Sequence, residues 1–286
     1  MTRVWIITGA SAGFGLQLAK IAVEAGDTVI AASRNPSKLS EVKGITPMRL
    51  DHNEPFDQVK KDIDAMVALH GRVDVVVNNA AYVQTGTLEE TSPEETLNQL
   101  QSNVLGPLNV YRAVLPHMRA AKSGTLVTIG SMNAWLPFNA CNLYNMSKAA
   151  VRAIGVGIAE EVRPFGIRHC LVEPGAFRTS LLDPSANFAA TSGMARLDDY
   201  KQINAETDAI FAMINGKQPG DPVKGCQIIY DVVTSTGVAE GREMPEFLPL
   251  GSDAVNVIVA SVQKVLGQVE EWKDVARQSD IKQITE

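Results

Sequence analysis

Residues 4–15 constrain the fold more tightly than any other part of the chain. The β-branched, apolar run Val4-Trp5-Ile6-Ile7-Thr8 stops abruptly at Gly9-Ala10-Ser11-Ala12-Gly13-Phe14-Gly15, and an amphipathic stretch follows. A short strand, a glycine-rich turn and a helix in that order begin a βαβ unit. Glycine there permits a tight turn and close approach of the backbone to a ligand, and the helix N-terminus that follows favours negative charge. Gly9, Ser11, Gly13, Phe14 and Gly15 are therefore candidate contacts for a pyrophosphate. Glycine-rich turns of this kind also arise for packing reasons alone, so the rest of the chain must decide.

The same alternation continues to about residue 175. Strands are expected at Val4–Thr8, Thr28–Ala32, Met48–Leu50, Val73–Asn78, Thr125–Ile129 and Arg168–Glu173. Helical periodicity occupies Gly13–Ala25, Phe56–His70, Pro93–Ala121 and Tyr144–Val162. With a further helix over Pro222–Ser235 and a seventh strand at Phe247–Leu250, the expected fold is α/β, a doubly wound Rossmann-type parallel sheet of seven strands with helices on both faces. One domain spanning 1–286 suffices for this length. Between about 180 and 220 the rhythm breaks, which suggests a lid over a substrate site. A helical extension, capped by Ser252 or Asp253, is expected over about 253–285. Its apolar positions Val255, Ile258, Val259, Val262, Val265 and Leu266 need a cover from the domain or from another subunit.

The formal charge of −6 comes with no cluster of basic residues, so a nucleic-acid partner is not expected. No apolar stretch is long enough for a membrane span or a signal peptide. Cys141, Cys170 and Cys226 are scattered, as are the four histidines, and neither set has metal-ligand spacing. These features point to a cytoplasmic protein without a metal, and Cys141 reads as a small buried thiol rather than a nucleophile.

At the end of the second predicted strand stands Ser33-Arg34. A cofactor without a 2′-phosphate is usually held here by a carboxylate, whereas a phosphate needs a cation and donors. Ser33 and Arg34 thus favour NADP(H) over NAD(H).

Six segments in order resemble the short-chain dehydrogenase/reductase family: the glycine turn, Asn78-Asn79-Ala80-Ala81, Asn103, Ser131, Tyr144-Asn145-Met146-Ser147-Lys148, and Glu173-Pro174-Gly175-Ala176-Phe177-Arg178-Thr179. Ser131 precedes Tyr144 by thirteen positions, which places both at the carboxyl edge of the sheet, and Tyr144 and Lys148 share one helix face. The resemblance implies a catalytic set of Asn103, Ser131, Tyr144 and Lys148. Tyr144 would be the proton donor in reduction, Ser131 the donor to the substrate oxygen, Lys148 the partner of the nicotinamide ribose, and Asn103 the holder of a water leading to solvent. A free phenol has a pKa of about 10, and lowering it by about 3 units takes roughly 4 kcal/mol of differential stabilisation, which the resemblance assigns to Lys148 and the cofactor's charge.

The resemblance also implies cofactor contacts at Asp51 with adenine, at Asn79, Ala80 and Ala81 with a ribose, and at Pro174, Gly175, Phe177 and Thr179 near the nicotinamide. Ala81 replaces the family's glycine and narrows the approach to the ribose. Ala12 stands where the family often carries a second basic residue. Tyr82, Val83, Asn133, Trp135, Cys141 and the Leu181–Met213 segment fall where the family places its substrate, which implies a partly hydrophobic carbonyl compound or alcohol. Phe188, Met194 and Phe211 serve equally well as packing residues of the lid. The resemblance further implies a homo-oligomer, a dimer or tetramer. Two other readings stay open: an NAD-dependent alcohol dehydrogenase, and a catalytically silent NADP(H)-binding regulatory protein.

Overall fold

The computed structural model describes residues 2–183, 187–191 and 195–281. Seven strands form one parallel sheet: β1 (Val4–Thr8), β2 (Thr28–Ser33), β3 (Ile45–Arg49), β4 (Val75–Asn78), β6 (Gly124–Ile129), β7 (Ile167–Pro174) and β9 (Phe247–Leu250). Their order across the sheet is β3-β2-β1-β4-β6-β7-β9. The chain therefore builds outward from β1 in one direction and then, from β4, in the other. In open sheets of this kind the crevice at the carboxyl ends of the strands flanking that reversal binds ligands.

Alternation along each strand divides the core into two layers. Trp5 and Ile7 of β1 meet α1 (Gly13–Glu24) and α7 (Pro222–Thr234), whose contributions include Leu18, Ala22, Ile229 and Val233. Ile6 faces the opposite layer, with Ile63 and Met66 of α2 (Phe56–Ala68) and Val110, Val114 and Met118 of α4 (Gly106–Ala121). Every residue of β1 and β4 is buried, which explains why these strands read as unbroken apolar runs.

Several boundaries depart from the sequence reading. β3 starts at Ile45, not Met48, and runs through Pro47; it is an edge strand, where a missing N–H leaves no central ladder position unfilled. β4 starts at Val75, because Asp74 is engaged with Val4: its carboxylate accepts the Val4 N–H at 2.7 Å. The helix expected over Pro93–Ala121 is three pieces: α3 (Pro93–Leu100), a π-helical turn (Gln101–Leu105) and α4. Pro107 has no N–H for the carbonyl of residue 103, four positions back, and the ladder widens there. α5 (Asn142–Val162) begins two residues before Tyr144.

The 180–220 stretch contains β8 (Phe188–Ala190) and α6 (Lys201–Ile214). β8 pairs in parallel with β5 (Val83–Thr85) as a second, two-stranded sheet that the sequence reading omits. The last helix, α8 (Ser252–Ala276), has Gly251 at its N-cap, so neither Ser252 nor Asp253 caps it. Of its six apolar positions only Ile258 is buried; Val255, Val259, Val262, Val265 and Leu266 are exposed, so the domain body is not their cover.

Candidate functional site

A cavity of about 710 Å³ opens at the carboxyl ends of the strands, at the reversal between β1 and β4. Its first wall is the β1–α1 turn. Gly9 and Gly13 adopt left-handed backbone conformations, with φ of +63° and +54°. A Cβ on Gly9 would lie 2.8 Å from Ala80 Cα, and one on Gly15 would lie 2.6 Å from both the Asn79 amide nitrogen and the Gly9 carbonyl. The turn is stitched to β4: Thr8 Oγ1 accepts the N–H groups of Asn79 and Ala80 at 3.0 and 3.1 Å, and Asn79 Nδ2 donates to the Thr8 carbonyl at 2.9 Å. α1 starts without a side-chain cap, so its first-turn N–H groups are available to an anion at this wall. Gly9, Ser11, Gly13, Phe14, Asn79, Ala80 and Ala81 all line the cavity; Gly15 does not, and serves the packing of the turn.

At the far end of this wall β2 delivers Ser33, whose buried Oγ has no hydrogen-bond partner. Arg34 and Lys38, both exposed at the rim, and Asn35 line the same end of the cavity. Lys38 comes from the 3-10 turn Pro36–Leu39, where a lysine amid polar residues gives no sequence signal of its own. Asp51 is not part of the lining: its carboxylate accepts the N–H of Asn53 at 3.1 Å, and Leu50, His52 and Asn53 form the wall instead. Burial holds His52 neutral, with its pKa pushed down to about 4, and Arg34 acts in the same direction against Asp51.

The opposite wall follows β7. Pro174, Gly175, Phe177 and Thr179 all line the cavity. Phe177 packs edge-on against Phe14, with ring centroids 4.9 Å apart, over two glycines, Gly220 and Gly225, that leave room for its ring. The backbone at Gly175-Ala176 is held by Asp253, whose Oδ2 accepts the Ala176 N–H at 2.7 Å while Oδ1 accepts the Ala254 N–H at 2.9 Å. Asp253 thus braces the loop rather than capping α8. Its position just after β9 was the available signal, and helix-cap chemistry masked it.

Between these walls stand Ser131, at the end of β6, and Tyr144 and Lys148 on α5, all three buried and all lining the cavity. Ser131 Oγ accepts the Asn133 N–H at 3.1 Å and donates to Asn133 Oδ1 at 3.2 Å, and it lies near enough to the Tyr144 hydroxyl to act on its pKa. Lys148 Nζ donates to the Ile129 carbonyl at 2.9 Å and lies 5.8 Å from the centre of the Tyr144 ring. Burial pushes the Tyr144 phenol up to about 12, with Ser131 working against it. Burial pushes Lys148 down to about 8, opposed by the negative charge of Glu173. Within the protein's own field desolvation is the largest influence on Tyr144, before the charge of any bound cofactor is added.

The Asn103 side chain is fully engaged within the protein. Its amide accepts the Tyr82 N–H at 3.0 Å and donates to the Tyr82 carbonyl at 2.9 Å and to Ser147 Oγ at 3.0 Å, and Ser147 in turn donates to the Tyr144 carbonyl at 2.8 Å. Its amide therefore ties the π-helical turn to the Tyr82 loop and the first turn of α5, and Asn103 is not in the cavity lining.

Beyond Tyr144 the cavity is apolar. Val83, Cys141 and Tyr144 form a cluster with Phe138, Leu181, Phe188 and Phe211. The three phenylalanines touch, with centroid separations of 5.4 Å for Phe138–Phe211 and 5.2 Å for Phe188–Phe211. Tyr82 and Asn133 also contribute to the lining. Trp135 does not: its indole N–H donates to Glu173, and its ring lies under the Arg152 guanidinium, 4.0 Å away. Met213 is exposed on α6, and Met194 falls outside the described residues. The Cys141 thiol is pushed up to about 12 by burial, so it is no nucleophile at neutral pH. Among the described residues no cluster has the make-up of a metal site, and no helix is long and apolar enough to cross a membrane.

A doubly wound sheet, a glycine-lined cleft at its reversal point and a buried Ser–Tyr–Lys group beside that cleft define a dinucleotide-dependent oxidoreductase of the Rossmann type. The family model described as short chain dehydrogenase matches residues 3–189, and the chain belongs to that family. The oxidoreductase BOA17 of Botryotinia fuckeliana is 29% identical over 282 residues, covering 96% of this chain and 98% of its own. A short-chain dehydrogenase structure from Streptomyces avermitilis superposes with a TM-score of 0.85 at 33% identity, over 98% of this chain and all of that one. A metagenomic short-chain oxidoreductase solved in complex with NADP has a TM-score of 0.58 at 31% identity, over 62% of this chain and 83% of its own.

Proposed function

We propose that the protein is an NADP(H)-dependent reductase of apolar ketones or aldehydes, running in the alcohol-oxidising direction when the cofactor is oxidised. The observation that carries this reading is the placement of Ser131, Tyr144 and Lys148 where the glycine-lined cleft meets the phenylalanine-lined pocket. The residues fit a dinucleotide: Gly9 and Gly13 bring bare backbone to the cleft at the uncapped start of α1, and the unpartnered Ser33 Oγ beside Arg34 and Lys38 suits a 2′-phosphate. The NADP complex of the metagenomic relative is consistent with that preference.

The bound nicotinamide supplies or accepts the hydride. The chain's own residues handle the proton and the charge. Ser131 donates to the substrate oxygen and stabilises charge as it develops there. Tyr144, buried with a pKa of about 12, holds its proton at neutral pH, the state reduction requires, and passes it from Oη to the substrate oxygen. Lys148, at about 8, is mostly cationic at neutrality, so it favours the phenolate that Tyr144 becomes and can donate to the cofactor ribose. Val83, Phe138, Leu181, Phe188 and Phe211 exclude water and select an apolar substituent on the carbonyl.

The test is NADPH consumption against a matched panel of apolar and carboxylate-bearing aldehydes and ketones. Turnover of aryl and alkyl carbonyls, with charged analogues at least about tenfold poorer, is expected. No turnover across the panel despite NADPH binding would indicate a silent binding protein, and equal use of NADH would remove the preference for the phosphorylated cofactor.

A further inference from the structure

α6 carries Phe211 to the apolar pocket, yet the helix is docked to the rest of the protein by polar groups. Of its residues only Asn204 and Thr207 are buried. Asn204, Thr207 and Phe211 recur at i, i+3 and i+7, so they share one face, and Phe211 stands two turns, about 10.5 Å, beyond Asn204. Thr207 Oγ1 donates to the Asn139 carbonyl at 3.3 Å. Asn204 Nδ2 donates to both carboxylate oxygens of Glu90, at 2.8 and 3.0 Å, and Glu90 belongs to the turn that follows β5. The reaction as described makes no use of Glu90, which does not line the cavity.

Glu90 is 5% exposed, and a carboxylate buried to that degree is costly unless donors satisfy it. Donors reach it from both sides. Oε2 accepts the Thr87 N–H at 3.2 Å and the Thr87 hydroxyl at 2.7 Å, within its own turn, and Oε1 accepts the Leu197 N–H at 2.8 Å, from the segment that leads into α6. Each oxygen therefore faces a backbone N–H, which suits a carboxylate and not an amide: a glutamine in either orientation would set its NH2 against one of them. The neighbouring ties are weaker anchors. The Tyr200 hydroxyl donates to Glu89 at 2.9 Å on the exposed surface, and Arg196 pairs with Asp208 of α6 itself, a link within one segment. The turn holding Glu90 continues from β5, which brings Val83 to the pocket, and the Gly86 N–H donates to the Ala140 carbonyl at 2.8 Å beside Cys141. Glu90 thus joins the pocket wall formed by Val83 and Cys141 to the wall formed by Phe211.

We propose that Glu90 is a positioning residue for substrate selection: its buried carboxylate clamps α6 to the turn after β5 and so fixes Phe211, and with it the width of the apolar pocket. It acts through α6 and touches neither substrate nor cofactor. The inference rests on the reading of that pocket as the substrate site, and one arm of its test needs no turnover.

Glu90→Gln keeps the size of the side chain and removes its charge. Hydrogen exchange followed by mass spectrometry reads the docking of α6 directly: in the variant the amides of 201–214 should exchange at least about tenfold faster, the loss of one charged hydrogen bond, while those of β1 and β4 keep the parent rate. In steady state KM for an aryl ketone should rise about tenfold, with kcat and the NADPH dissociation constant within about twofold of the parent, and KM for acetaldehyde, whose substituent is a single methyl group, should change far less. Parent-like exchange of α6 or an unchanged aryl-ketone KM in folded Glu90→Gln overturns the proposal, and so does a loss of kcat or of NADPH affinity as large as the rise in KM. If circular dichroism shows that variant unfolded, Asn204→Leu, which removes only the α6 side of the clamp, decides on the same readings. A parent protein that binds NADPH but turns over no carbonyl fails the reductase reading, and the exchange of α6 then decides on the clamp alone, so the two failures are distinguishable.

Discussion

Removing the cations at the end of β2 should separate the two nicotinamide cofactors. Arg34 and Lys38 line the cavity beside Ser33 and are both exposed at its rim. A hydrogen bond to a charged group contributes about 1.5–3 kcal/mol, and exposure places these two at the lower figure. About 1.5 kcal/mol corresponds to roughly tenfold in affinity, so Arg34→Ala weakens NADPH about tenfold and Arg34→Ala/Lys38→Ala up to about 100-fold. NADH has no phosphate at that position, and its affinity holds. Ser33→Ala adds a control: its buried Oγ has no partner to lose, so thermal stability is retained while NADPH binding weakens. The assay is fluorescence titration with NADPH and NADH in parallel at two salt concentrations, the NADPH affinity of the parent falling at the higher one. Equal losses for both cofactors, or an unchanged NADPH affinity in the double variant, would refute the assignment of this end of the cavity to a 2′-phosphate.

Three further outcomes follow from the packing and the buried titratable groups. Burial holds His52 and His169 near 4, below the 6.5 of an unfolded histidine. Between those values the unfolded chain binds more protons, so stability is lost as pH falls from about 6.5 toward 4, by about 2 kcal/mol for each histidine at pH 5. Urea unfolding at pH 7 and pH 5 measures this, and His52→Gln or His169→Gln should each flatten the difference. Gly15→Ala drives a Cβ into Asn79 and the Gly9 carbonyl at 2.6 Å and should lower stability by about 1–3 kcal/mol in urea melts, whereas Gly13→Ala meets nothing closer than 3.5 Å but must hold a φ of +54°, and should cost about 1–2 kcal/mol through backbone strain alone. Asp253→Ala frees the Ala176 N–H, so calorimetry should show a loss of about 1.5–3 kcal/mol, together with weaker cofactor binding through the Gly175 loop.

The central strands were legible because they are buried on both faces and read as short β-branched runs; Val4–Thr8 and Thr125–Ile129 carry their own signal. The positions of Ser131, Tyr144 and Lys148 were legible for a related reason, since strand ends and a four-residue helical spacing place side chains without knowledge of the long-range packing. What escaped was decided by packing between distant segments. The β5–β8 pair joins residues more than a hundred positions apart, and β5 and β8 are only three residues each. The sequence reading placed Trp135 in the substrate pocket because it lies near Ser131, whereas Glu173 and Arg152 draw it away. Asp51 is likewise turned to its own loop at Asn53, and no local pattern distinguishes that from a ligand contact. The state of Tyr144 depends on burial, which spacing does not encode.

The central claim is that Tyr144 moves the proton. Tyr144→Phe keeps the ring in its buried place and removes only the hydroxyl. Measured with NADPH and the best aryl ketone of the panel, kcat should fall by about 10²–10⁴-fold while the dissociation constant for NADPH stays within a few-fold of the parent. Turnover at the parent rate in Tyr144→Phe, with NADPH bound as tightly, would contradict the account.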